Sequence, residues 1–219
     1  MSEEAQVEES VSALSDGDQE RINAVLKFWF KEHELSAPQV DGRMDVWFGE
    51  DPLFDEEIVR TFAVDVEKAS EGELDHWAFD ARGRLALIIL LDQFTRNIHR
   101  GTARAFSNDA LALKLCVDGA GNNMYRSLAP IQQVFFFMPL QHAESQKLQE
   151  KSVSIYQTLA RNVSETQRET FQTTAHFAEL HRDIVEQFGR FPHRNKVLGR
   201  ENTAAEEAHL NSEARSFGQ

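Results

Sequence analysis

Apolar positions recur at helical spacing along almost the whole chain. Ile22, Val25, Leu26, Trp29 and Phe30 form the first stripe, with Ser15 and Asp16 ahead of it as N-cap candidates. A loop is expected around Pro38 to Gly42, then a short apolar patch at Val46, Trp47 and Phe48. Asp51-Pro52 reads as a cap followed by a first helical residue. Phe54, Ile58, Phe62, Val66 and Ala69 continue that helix, and Glu71-Gly72 ends it. Leu85 to Leu91, LALIILL, is apolar all round and predicts a central helix buried on several sides. A buried parallel strand is the rival for this run, but the charged residues that follow at helical spacing favour a helix, ending near Gly101. A helix over roughly residues 108–120 should close at Gly119 and Gly121. Pro130 and Pro139 bracket the aromatic run IQQVFFFM. Leu148, Ser152, Ile155 and Leu159 carry another helix, and Phe177, Leu180, Ile184 and Phe188 the last long one, which stops at Gly189. Thr203 and Glu206 make a capping box for a short terminal helix. No hairpin signal and no consensus repeat interrupts this pattern. It predicts an all-α chain, with several antiparallel helices around one core.

Composition narrows the class. A chain of 219 residues suffices for one domain that buries roughly 70% of its unfolded surface. Seven acids and no base fall in the first twenty residues, so residues 1–18 are expected to be a disordered acidic tail and 19–219 a single all-helical domain. Without those seven acids the rest holds 29 acids against 23 bases, although the whole chain carries −13. That start is unlike a signal peptide, and no apolar run approaches the roughly 20 residues of a membrane span. A cytoplasmic location with no membrane partner is the expectation. The lone Cys116 excludes an intramolecular disulfide and reads as a buried thiol.

Against this acidic background, residues 181–200, HRDIVEQFGRFPHRNKVLGR, gather four arginines, a lysine and two histidines with only two acids. His181 falls on the inward face of its helix and needs a hydrogen-bond partner if buried. A lone inward histidine is structural more often than it is an acid/base group. The connection from Gly189 to the Thr203 cap is long for helices, and such loops are functional or disordered. Phe191, Pro192, Val197 and Leu198 favour an ordered one that holds Arg190, His193, Arg194, Asn195 and Arg200 in a frame suited to a carboxylate or phosphate. A basic loop that merely neutralises surface acids is the plain alternative. Asp92 follows the most buried run, with Arg96 four residues on in the favourable order for an ion pair. Asn97, His99, Arg100 and Arg104 follow. A structural clasp explains Asp92 and Arg96 as readily as a site does. His142 and Glu144 form a third polar point.

Other chemistries find little support. The pattern H-E-x-x-H is absent, and E-x-x-H occurs at Glu73/His76 and Glu206/His209 without the long core helices of a di-iron bundle. No metal or cofactor is therefore assigned. There is no phosphate-binding glycine loop, dinucleotide fingerprint or nucleophile elbow. The basic cluster is local and lacks a nucleic-acid reader motif.

LDQFTRNIHRGTARAFSNDALAL, FFFMPLQHAE and HRDIVEQFGRFPHRNKVLGRENTAAEE together resemble an uncharacterised bacterial family, domain of unknown function 924, over roughly residues 22 to 217. The resemblance implies an all-helical, tetratricopeptide-like array of antiparallel helix pairs and no established activity. It also implies motif residues at Asp92, Gln93, Arg96, Asn97, His142, Glu144, His181, Arg190, His193, Arg194 and Asn195. Thr95 departs from a common proline, His99 from a common aromatic and Ala143 from a usual serine.

If the fold joins residues 92–104 to 181–200, the gathered positive charge needs compensation. Asp92 and Glu144 can supply part of it. A small anion, carboxylate or phosphate, is the expected ligand of such an Arg/His pocket, with His181 the candidate general acid/base. An interaction module that clamps an acidic peptide is the alternative. A buried network that only fixes helix packing is the third reading.

Overall fold

A computed structural model of the chain describes residues 14–31 and 37–212. Ser15 opens α1 (Asp16–Phe30): its hydroxyl accepts from the Asp18 amide, and the Asp18 carboxylate accepts from the Ser15 amide. Asp18 also accepts the Trp77 indole N–H at 2.8 Å, which ties this helix start to a 3-10 turn at Asp75–Phe79. Residues 16–18 are thus helical, inside the stretch expected to be a disordered tail, because the capping box supplies partners for the first-turn amides. Residues 1–13 lie outside the described residues.

The loop expected around Pro38 to Gly42 is instead the start of α2 (Ala37–Phe48). Pro38 falls in the first turn, where proline costs little. Trp47 anchors the other end by donating to the Trp29 carbonyl at 3.0 Å. In α3 (Pro52–Ser70), Asp51 caps the Leu53 amide at 2.9 Å and the apolar stripe from Ile58 to Ala69 is buried, as the spacing predicts.

The run LALIILL lies in a helix that is central in the molecule. α4 (Ala81–Ile88) passes through a π-helical stretch (Ile89–Phe94) into α5 (Thr95–Ile98). Residues 83–96 are all buried. α1, α3, α6 (Asp109–Gly121) and α7 (Pro130–His142) pack around this helix. Trp29, Phe62, Phe94 and Phe135 meet edge-on or tilted at 4.9–5.6 Å between ring centroids. Gly119 is not a helix stop: it sits inside α6, where a β-carbon would lie 2.5 Å from Arg84 Cδ and 2.8 Å from Phe136 Cζ. Likewise Pro139 does not end α7, which runs on to His142.

α8 (Gln146–Asn162) and α9 (Arg168–Phe188) form an antiparallel pair on α7, registered by a bond from Gln157 to Glu179 at 2.8 Å. Gly189, with φ 71°, ends α9, and the capping box Thr203/Glu206 begins α10 (Ala204–Asn211). Among the described residues there is no strand and no helix long and apolar enough to cross a membrane.

Candidate functional site

The π-helical stretch, the end of α7 and the loop after α9 meet at one buried polar cluster. Asp92, fully buried, accepts from His142 Nδ1 at 2.7 Å and from Gln93 at 2.5 Å. Arg96 lies 3.3 Å from the Asp92 carboxylate, donates to the Asp92 carbonyl at 2.6 Å and pairs with Asp109 at 2.9 Å. Arg194 reaches the same Asp109 at 3.3 Å and donates to the His142 carbonyl at 3.1 Å. Its guanidinium lies between the rings of Phe106 and Phe191, 4.6 Å from each centroid. His181 donates from Nδ1 to the Phe177 carbonyl at 2.7 Å, and its ring centroid is 6.2 Å from that of His142.

The fold therefore brings Asp92, Arg96, His142, His181 and Arg194 together. The geometry also explains how each is held. α7 ends at His142 because Gln149 donates to the carbonyls of Gln141 at 2.7 Å and Ala143 at 2.8 Å, satisfying groups that a helix end leaves open. Burial alone would raise the Asp92 carboxyl, but the Arg96 charge beside it and the bonds it accepts from His142 and Gln93 hold it low. Burial, with Arg96 nearby, lowers His142, although Asp92 opposes this. The pair is an ionised Asp92 with a neutral His142 donating its Nδ1–H. Burial also pushes His181 down to about 3. Both histidines are thus neutral with Nδ1 as donor, which puts the lone pair on Nε2.

The remaining predicted residues form struts around this cluster. Glu144 accepts from the Phe191 amide at 2.8 Å and pairs with Arg200 at 2.7 and 2.9 Å. Arg190 makes a two-pronged pair with buried Glu206 at 2.6 and 2.9 Å. Asn195, fully buried, donates to Asn202 at 2.8 Å. Asn97 and Arg100 both hold Asp55, at 2.7 Å each. The His193 ring lies 5.5 Å from that of Phe191, between centroids. It lines a pocket of about 70 Å³ with Arg96, Arg100, Thr102, Phe106 and Val197. His142, His181, Glu144 and Arg194 do not line that pocket.

The sequence pattern does not single out Asp55, Asp109 or Phe106, and it marks Glu206 only as a cap and as part of an E-x-x-H pair. Asp109 was legible as the first residue of α6, but a helix-start acid is ordinarily explained by the helix dipole. Nothing local marks Asp55 or Phe106. These carboxylates change the charge balance: Arg96 and Arg194 are met by Asp92 and Asp109, Arg100 by Asp55 and Arg190 by Glu206. The positive charge that the sequence left uncompensated is matched within the chain. Among the described residues no group of three or more His, Cys, Asp or Glu side chains is arranged to hold a metal.

The family model described as "Bacterial protein of unknown function (DUF924)" matches residues 25–214, a span that contains every residue of this cluster. The chain belongs to the DUF924 family. A solved structure of a protein of unknown function from Agrobacterium tumefaciens is similar at 34% identity and a TM-score of 0.74, covering 88% of this chain and 97% of that one. No curated protein matches. The DUF924 membership and this neighbour establish the all-α fold and name no activity.

Proposed function

We propose that this DUF924 protein binds a small anion, a carboxylate or a phosphate group, in the pocket between α5, the 3-10 turn Ala103–Phe106 and the loop after α9. The observation that carries this is the convergence of Arg96, Arg100 and His193 on one pocket, with both arginines paired to aspartates. Such arginines are preorganised, so little side-chain entropy is lost when a ligand docks. Arg96 Nε has no hydrogen-bond partner among the described residues, which leaves one buried donor unsatisfied beside the pocket. Because the aspartates already balance the charge, affinity rests on hydrogen bonds and fit rather than on net attraction. Arg194, held between two rings, supports the wall; His181 is a neutral base candidate outside the pocket. The test is a thermal-shift titration at low salt with acetate, inorganic phosphate and their simple esters. A ligand at 100 times its Kd adds about 2.7 kcal/mol. His193→Ala should abolish the shift in a chain that still folds, as circular dichroism would verify. The absence of any shift in the wild type would end this reading.

A second reading, an interaction module for an acidic peptide, is favoured by a separate groove. It opens to about 450 Å³ along α8 and α9, lined by Arg161, Arg168 and His176 with the single acid Glu179, and by Ala160 and Ala175. An antiparallel helix pair with small residues between basic ones suits an extended acidic segment. Fluorescence anisotropy with a labelled oligoglutamate tests it: Arg168→Glu should abolish binding, and no binding by wild type would rule it out.

A further inference from the structure

We infer that the occupant of the Arg96–Arg100–His193 pocket is a short-chain aliphatic monocarboxylate rather than a phosphate. This rests on the anion-binding reading above and narrows it. Ala105, Phe106 and Val197, with Gly101, make up the rest of the pocket lining besides its polar groups. A phosphate is polar on every side, so some of its oxygens would face these apolar groups without partners, which is costly. A carboxylate with a short alkyl body has one end for the arginine and histidine donors and another for the alanine, phenylalanine and valine. Size agrees: about 70 Å³ holds roughly five water-sized groups, the bulk of a four-carbon acid. Charge agrees as well. Arg96 and Arg100 each already have an aspartate partner, at 2.9 and 2.7 Å, so the pocket offers no surplus of positive charge for a dianion. A single negative charge spread over two oxygens needs less compensation.

The experiment uses the full chain at low ionic strength, with butyrate, acetate and inorganic phosphate as probes in isothermal titration. Butyrate should bind about tenfold more tightly than acetate, because two more methylenes are buried, and more tightly than phosphate. Val197→Asp places a like charge on the pocket wall at a partly exposed position, so the fold is kept, as circular dichroism would verify. It should remove butyrate binding. Phosphate binding as tight as butyrate, or butyrate no tighter than acetate, overturns this inference and leaves the anion pocket standing. Undiminished butyrate binding by Val197→Asp overturns it too, because the acid then binds elsewhere. No binding of any probe overturns both readings.

Discussion

Two residues, buried His181 and half-buried Asp109, fix the energetic character of the cluster. His181 is inward, as its helical position predicts, and its neutral form is the one the fold accepts: burial pushes it down to about 3, against an ordinary value near 6.5. Between those values the unfolded chain takes up a proton that the folded chain refuses. Stability should therefore fall as the pH drops below about 6.5, with a loss of about 2 kcal/mol by pH 5 from this residue. His142, also lowered by burial, works in the same direction. Urea unfolding of wild type and His181→Gln at pH 7.5 and pH 5 checks this: the variant should show the smaller pH-dependent loss, and equal losses would place the effect elsewhere. Asp109 matters for a different reason. It is the shared partner of Arg96 and Arg194, so Asp109→Asn leaves two buried guanidiniums short of one negative charge. A cost of about 3 kcal/mol is expected in the same unfolding assay.

At the scale of elements, periodicity predicted most of the helices, because 3.6-residue spacing follows directly from which side must be buried. It failed where one residue type serves two ends. Glycine marks helix stops, so Gly119 reads as one, yet it is the contact that lets α6 lie against Arg84 and Phe136. Gly119→Ala should overpack this contact and cost about 1–3 kcal/mol, read as a lowered thermal midpoint. The stripe of α9 shows a related limit. Phe177 and Phe188 are only half-buried, beside Phe48 of α2 and His209 of α10, while Phe171, Thr174, Ala175, Ala178, His181 and Val185 are buried. Four of these six are small or polar, so apolar size alone misplaces the buried face. The π-helical stretch left no mark on the sequence pattern, since every residue from 83 to 96 is buried whatever the local pitch. The candidate site was legible as a set of motif residues. Its counter-charges were not, because Asp55 and Asp109 come from other elements and pair only through the tertiary fold.

In the molecule as a whole, the loop between α9 and α10 is a strap fastened to three separate elements. Arg190 ties it to α10 through Glu206, Arg194 to α6 through Asp109, and Arg200 with the Phe191 amide to the α7–α8 junction through Glu144. Phe191, wholly buried, packs its ring edge against His181 at 5.6 Å. The basic residues of this segment are therefore fasteners first, which accounts for their concentration in an acidic chain. The strap also carries His193 and Val197 to the pocket, so the pocket exists only while the strap is closed. Glu144 serves two fasteners at once, and Glu144→Ala should loosen the strap without unfolding the core, which the other helices hold. Amide hydrogen exchange checks this. Exchange at Phe191, Arg194 and Arg200 should speed up about tenfold, the loss of about 1.4 kcal/mol expected for a charge-assisted tie, while the buried amides of α4 and α7 stay protected. Equal acceleration in both places would make Glu144 a support of the global fold. Unchanged exchange at the strap would assign its closure to Phe191 and the Phe106–Arg194–Phe191 stack alone, and the pocket would then open only with the core.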